Sequence, residues 1–105
     1  MKFKTITGGT EAEAIAKFPW LAVAYFEDAV IDITRYSLVW RDGTWECGTW
    51  KDGTWEGGFW EGGYWEGGTW KGGIWEGGTW KDGYMWSNIN QKYEQITYKD
   101  GKFTV

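Results

Sequence analysis

Tryptophan recurs every five residues from Trp40 to Trp80, and each of these nine is followed three residues later by glycine, from Gly43 to Gly83. This spacing fits neither the 3.6-residue period of a helix nor the two-residue period of a strand. On one continuous strand a step of five would send successive tryptophans to opposite faces. The chain must therefore turn once per repeat, which describes a solenoid whose sides are each one pentapeptide. Read from the glycine, a unit is Gly, a variable residue, Trp, a charged residue, then Gly or Asp. The variable slot holds Thr44, Thr49, Thr54, Phe59, Tyr64, Thr69, Ile74, Thr79 and Tyr84. All are good strand residues, so the extended part of each unit is the Thr-Trp-Glu stretch. The Gly-Gly or Asp-Gly pairs make the corners, because they tolerate positive φ. Met85 reads as a one-residue insertion that displaces the last tryptophan to position 86.

The flanks follow other rules and divide the chain into residues 1–39, 40–86 and 87–105 of a single structural domain. Residues 2–7 alternate as a strand and Gly8-Gly9 makes a turn. Thr10 with Glu13 forms a capping box for a short helix through Lys17, which Pro19 ends. Residues 20–27 and 30–36 read as strands split at Glu27-Asp28. This small α+β section is expected to cap the first coil. Residues 95–98 and 102–105 flank Asp100-Gly101, a hairpin signal, and are expected to cap the last coil.

Composition narrows the functional classes. The net charge is −4, and residues 40–86 carry all of it, with eight acids against four bases. Such a surface does not attract a nucleic-acid backbone, so direct nucleic-acid binding is not expected and a basic protein surface is the natural electrostatic partner. The mean hydropathy of −0.56 and the lack of a ~20-residue apolar run give no membrane span. The opening Met-Lys-Phe-Lys-Thr-Ile has no apolar signal core. One cysteine, Cys47, forms no internal disulfide, and a reducing cytoplasm is the expected compartment.

The repeat resembles the pentapeptide-repeat proteins. That resemblance implies a right-handed, four-sided β-helix of two to three coils, with the central tryptophans pointing inward. It also implies that the glycines two residues before them, Gly43 to Gly78, fill small inward positions. Tryptophan plus glycine fills about the space of phenylalanine plus alanine, so a packed interior is retained. Room for four indoles per layer favours four sides over three, although charge stacking decides neither. The Trp-x-Gly-Gly-Thr runs also resemble sequences of large tailed bacteriophages.

Chemistry for catalysis is sparse. The chain has no histidine, which removes the commonest general base and zinc ligand. The Gly-Gly pairs lack the Lys-Ser/Thr signature of a phosphate loop. No enzyme activity, cofactor or metal site is expected, and Cys47 reads as incidental. With tryptophan inside, the outward residues are the informative ones. Glu56, Glu61, Glu66 and Glu76 would form an anionic surface. Phe59, Tyr64, Ile74 and Tyr84 interrupt the threonine lattice and are candidate contact residues.

The expected function is a non-enzymatic, phage-encoded inhibitor or counter-defence factor that docks an acidic solenoid on a host protein in the host cytoplasm. The family resemblance adds DNA mimicry toward topoisomerases as a minor branch. The alternatives are a structural virion component of tail or capsid, and a carbohydrate or nucleotide binder using exposed aromatics. A homodimer through the capping segments, with Phe3, Trp20, Val23 and Tyr25 of the N-terminal section as candidate contacts, is also expected because a short solenoid has open ends.

Overall fold

In the computed structural model, which describes residues 2–99 and 102–104, fifteen residues make one coil. The N-terminal section supplies β1 (Phe3–Thr7), α1 (Glu11–Lys17), α2 (Trp20–Val23), β2 (Tyr25–Ile33) and β3 (Leu38–Cys47). The repeat then lays down one short strand per pentapeptide. These are β4 (Thr49–Trp50), β5 (Thr54–Trp55), β6 (Phe59–Trp60), β7 (Tyr64–Trp65), β8 (Thr69–Trp70), β9 (Ile74–Trp75) and β10 (Thr79–Trp80). The chain ends in β11 (Tyr84–Ser87), β12 (Lys92–Gln95), β13 (Thr97–Lys99) and β14 (Lys102–Thr104).

All stacking between coils is parallel and steps by fifteen. The first side stacks β3, β5, β8 and β11, so that Trp40, Trp55, Trp70 and Met85 fall in one column. The second side stacks the later part of β3 with β6 and β9, aligning Trp45, Trp60 and Trp75. The third stacks β4, β7 and β10, aligning Trp50, Trp65 and Trp80. The β-solenoid thus has about three coils and three sides, which corrects the expected four. Its cross-section explains why. Trp40, Trp45 and Trp50 meet pairwise at 5.7, 5.8 and 6.3 Å with rings 73–81° apart. Three indoles packed edge to face close the layer around its axis, and a fourth side would open a void there.

Along the axis the same rings stack face to face, with centroids 4.8–5.3 Å apart and planes within 3–8° of parallel. Trp40 through Trp65 are wholly buried, while Trp70 and Trp80 are nearly so. This interior placement matches the inward reading of the repeat. Its polar atoms are less well served. The indole nitrogens of Trp40, Trp45, Trp50, Trp55 and Trp65 are buried with no hydrogen-bond partner. Trp60 Nε1 donates to Gly77 O and Trp80 Nε1 to Ile96 O, each at 2.9 Å.

The glycine two residues before each tryptophan is needed for backbone geometry rather than as a small inward side chain. Gly63 has φ +113°, and a Cβ there would lie 2.4 Å from Gly48 O of the coil below. That carbonyl instead accepts from Tyr64 N at 2.9 Å. Close approach of successive coils excludes any side chain at this position.

Beneath the first coil, β1 pairs in parallel with β2 and β2 runs antiparallel to β3. Thr10 caps α1 with both bonds of the capping box, as expected. The segment expected as a strand over residues 20–27 is instead α2 followed by the start of β2, because residues 20–23 form a helical turn after Pro19. This turn brings Trp20 against Trp45 and Trp50 at 6.2 and 5.1 Å. Glu27-Asp28 does not split two strands. Asp28, at φ +55°, absorbs a bulge inside β2, which ends at Ile33 rather than at residue 36. Phe26 then stacks on Trp45 at 5.5 Å and 8°, extending that column downward.

At the other end, Met85 keeps register over Trp70, so it replaces a tryptophan and inserts nothing. Residues 88–91 then reverse the chain, and β12 returns antiparallel along β11. β13 and β14 form a hairpin whose Phe103 packs edge-on against Trp75 and Trp80. The upstream strand of this hairpin is β13, not the expected residues 95–98. The Asp100-Gly101 turn lies outside the described residues.

Candidate functional site

The three-sided register sorts the candidate contact residues onto three separate faces. On the first side the residues after tryptophan are Arg41, Glu56 and Lys71. Glu56 sits between the two bases, with Oε1 3.9 Å from Arg41 Nε and Oε2 3.6 Å from Lys71 Nζ. Arg41 also pairs with Asp32 of β2. Above them on this side lie Tyr84, half-exposed, and Trp86. On the third side Glu66 falls between Lys51 and Lys81 in the column, beside the partly exposed Tyr64. Charge alternates along both columns.

The second side differs. Its residues after tryptophan are Glu46, Glu61 and Glu76, all exposed and all of one sign. Beside them, in the slot before tryptophan, run Thr44, Phe59 and Ile74, with Ile74 59% exposed. Of the eight residues singled out by sequence, only Phe59, Glu61, Ile74 and Glu76 are brought together. Glu56 and Tyr84 lie on another side, and Tyr64 and Glu66 on the third.

At the ends of this face, sequence reasoning named Val23 and Tyr25 as dimer contacts at the lower one and missed the upper one. Its lower end meets an open groove of ≈ 460 Å³ lined by Lys2, Val23, Tyr25, Glu27 and Glu46 among others. Val23 and Tyr25 stand 78% and 68% exposed there. Of the four residues expected at a dimer contact, these two are on the surface. Phe3 is buried against Phe26, and Trp20 is packed onto the first coil. At its upper end, Trp75 is the one repeat tryptophan that is only partly buried. A row of exposed tryptophans for stacking sugars or bases is not formed. At the surface, half-buried Trp86 instead meets exposed Tyr93 edge to face at 4.9 Å, and Trp86 Nε1 donates to Asn88 Oδ1.

Elsewhere the polar chemistry is local. Glu94 accepts from Asn90 Nδ2 at 2.8 Å, and hydrogen bonds from Asn90 and then Ser87 hold its carboxyl below the ordinary glutamate value. Among the described residues no three acid, cysteine or histidine side chains converge as a metal site. Also among them, no helix is long and apolar enough to cross a membrane. Cys47 is exposed with a free thiol at the end of β3. The chain matches no family model, and no curated protein or solved structure is significantly similar to it.

Proposed function

We propose that the protein is a non-enzymatic binding module that docks the second side of its solenoid on a basic, partly apolar surface of another protein. The observation that carries this reading is the column Glu46, Glu61, Glu76, which has no base in register and runs beside Phe59 and Ile74. Carboxylates repeated at the ~4.8 Å spacing of β-strands, on coils stacked in register, give an ordered line of negative charge. The adjacent apolar residues add contact area, while the charge steers approach and selects a cationic partner.

The origin of the repeat bears on who that partner is. Likeness to tailed-phage sequences supports a phage-encoded inhibitor or counter-defence factor acting on a host protein in the host cytoplasm. The five-residue period supports kinship with the pentapeptide-repeat proteins, although the fifteen-residue coil departs from the four-sided section that kinship implies. Three charges on a short column favour one basic protein patch over mimicry of a long DNA duplex.

The test is affinity capture from bacterial lysate with the wild-type protein, a Glu46→Gln/Glu61→Gln/Glu76→Gln bait and a Glu56→Gln control bait. A specific partner should be held by wild type and control, lost by the triple variant and released by raised salt, since exposed charge attraction is screened within ~8 Å at physiological ionic strength. A partner retained equally by all three baits at every salt concentration overturns the reading.

A further inference from the structure

The upper edge of the second side is unfinished. On the first side, β8 is covered by β11 in parallel register. On the third, the hairpin closes over the end of the coil, with Ile96 N bonded to Gly83 O at 2.9 Å and Phe103 against Trp80. Between them, β9 pairs below with β6, and among the described residues no strand lies along its outer edge. The cause is visible in the sequence. Continued register would place Ile89 over Ile74, but the chain reverses at residues 88–91 and leaves Ile89 93% exposed in the turn.

We propose that the edge of β9 accepts an extended segment of the partner protein as an added parallel β-strand. This rests on the reading of the second side as the docking face, and it specifies the segment recognised there. The coils already show how one rung joins the next. Ile74 N donates to Gly58 O at 2.9 Å, and Glu76 N donates to Trp60 O at 2.8 Å. An added strand in the same register donates to Gly73 O and Trp75 O. Edge strands are templates for this kind of pairing, with main-chain bonds giving affinity and alternate side chains giving specificity.

The side-chain requirements follow from the same register. One residue lies outward over Ile74 and should be β-branched or aromatic. The next points inward over the part of Trp75 that the edge-on Phe103 leaves uncovered and should be large. The third residue stands over Glu76 at the end of the three-carboxylate column and should be Lys or Arg. The chain provides its own precedents, Tyr84 and Met85 over Thr69 and Trp70, and Lys71 beside Glu56. The recognised segment is therefore apolar, large, basic in sequence.

The test is a titration of the 15N-labelled protein with an end-blocked Gly-Gly-Ile-Trp-Lys-Gly-Gly peptide, followed by NMR. Two control peptides replace Lys by Glu or carry N-methyl groups on the Ile and Lys amides. The lysine peptide should shift the signals of Ile74, Trp75, Glu76 and Phe103. The Glu peptide should bind roughly two- to fivefold more weakly, the scale of an exposed ion pair. N-methylation, which removes two hydrogen bonds and keeps the side chains, should weaken binding by at least about tenfold. No shifts at millimolar peptide, or equal binding of the N-methylated peptide, overturns strand addition. Concentration-dependent shifts at the same amides without peptide would make a second copy of this chain the occupant and overturn the partner-strand assignment. Shifts confined to Glu46 and Glu61 sink the edge and spare the docking face. Strand addition with a captured partner indifferent to Glu46→Gln/Glu61→Gln sinks only the face.

Discussion

Trp45 and Trp60 lie fifteen residues apart and stack with ring centroids 5.3 Å apart and planes 3° from parallel. That one pair fixes the coil length, and the coil length decides which surface residues become neighbours. Five of the buried indoles have no partner for their N–H, so the core is held by ring packing rather than by hydrogen bonds.

Trp55 and Trp60 separate those two contributions. Both are wholly buried, but Trp60 donates to Gly77 O while Trp55 donates to nothing. Trp55→Phe and Trp60→Phe remove similar volume, and only the second removes a hydrogen bond. Trp60→Phe should therefore be more destabilising by about 1 kcal/mol. Alanine at either site should cost at least about 3 kcal/mol. Urea midpoints measure both, and equal loss for the two phenylalanine variants would show that the Gly77 bond contributes nothing.

Neighbouring glycines should respond in opposite ways. A Cβ on Gly62 meets only Glu46 O at 3.6 Å, an ordinary contact, whereas one on Gly63 meets Gly48 O at 2.4 Å with φ at +113°. Gly62→Ala should stay within about 1 kcal/mol of wild type. Gly63→Ala should lose at least about 2 kcal/mol, from left-handed strain and separation of the coils. Matching melting temperatures for the two variants would place the coil contact elsewhere.

The turn after β11 should depend on pH through Glu94. Its pKa is lowered by hydrogen bonds from Asn90 and Ser87, so the folded state favours the carboxylate. The stabilisation is fully present above the ordinary glutamate value of 4.5 and is lost as pH falls through the lower folded value. In an NMR titration the Asn90 side-chain amide should move together with the Glu94 carboxyl below that pH. An Asn90 signal that stays constant while Glu94 titrates would show that the two are not bonded in solution.

What the sequence made legible was whatever a strict period controls. The buried tryptophans, the corner glycines and the Thr10–Glu13 capping box all follow from spacing and local backbone chemistry. The number of sides did not, because it depends on how three or four indoles close around an axis, and no single repeat contains that information. The contact residues were scattered for the same reason. Glu56 and Glu61 are five apart in the chain but on different sides, while Glu61 and Glu76 share one. Trp20 was misread because a helical turn after Pro19 overrides strand propensity when the indole can bury against the first coil. The open edge at β9 arises from a chain reversal thirteen residues later, beyond the reach of any local pattern.

Charge reversal on different sides gives a final test of the three-sided register. Glu56 lies between Arg41 and Lys71, so Glu56→Lys creates a column of three cations and should destabilise the fold. Glu61 lies between Glu46 and Glu76, so Glu61→Lys interleaves a cation with two anions and should stabilise it. Each effect should be no more than about 1 kcal/mol, because the groups are partly solvated. Glu66→Lys should behave like Glu56→Lys, since Glu66 stands between Lys51 and Lys81. The reversal of Glu61 with Glu66 is therefore not neutral at both sites, as outward orientation alone would suggest. All three shifts should shrink toward zero in 1 M salt, where the screening length is about 3 Å. A four-sided coil would instead set Glu61 between Arg41 and Lys81 and invert the sign for Glu61→Lys, so melting temperatures at low salt discriminate the two registers directly.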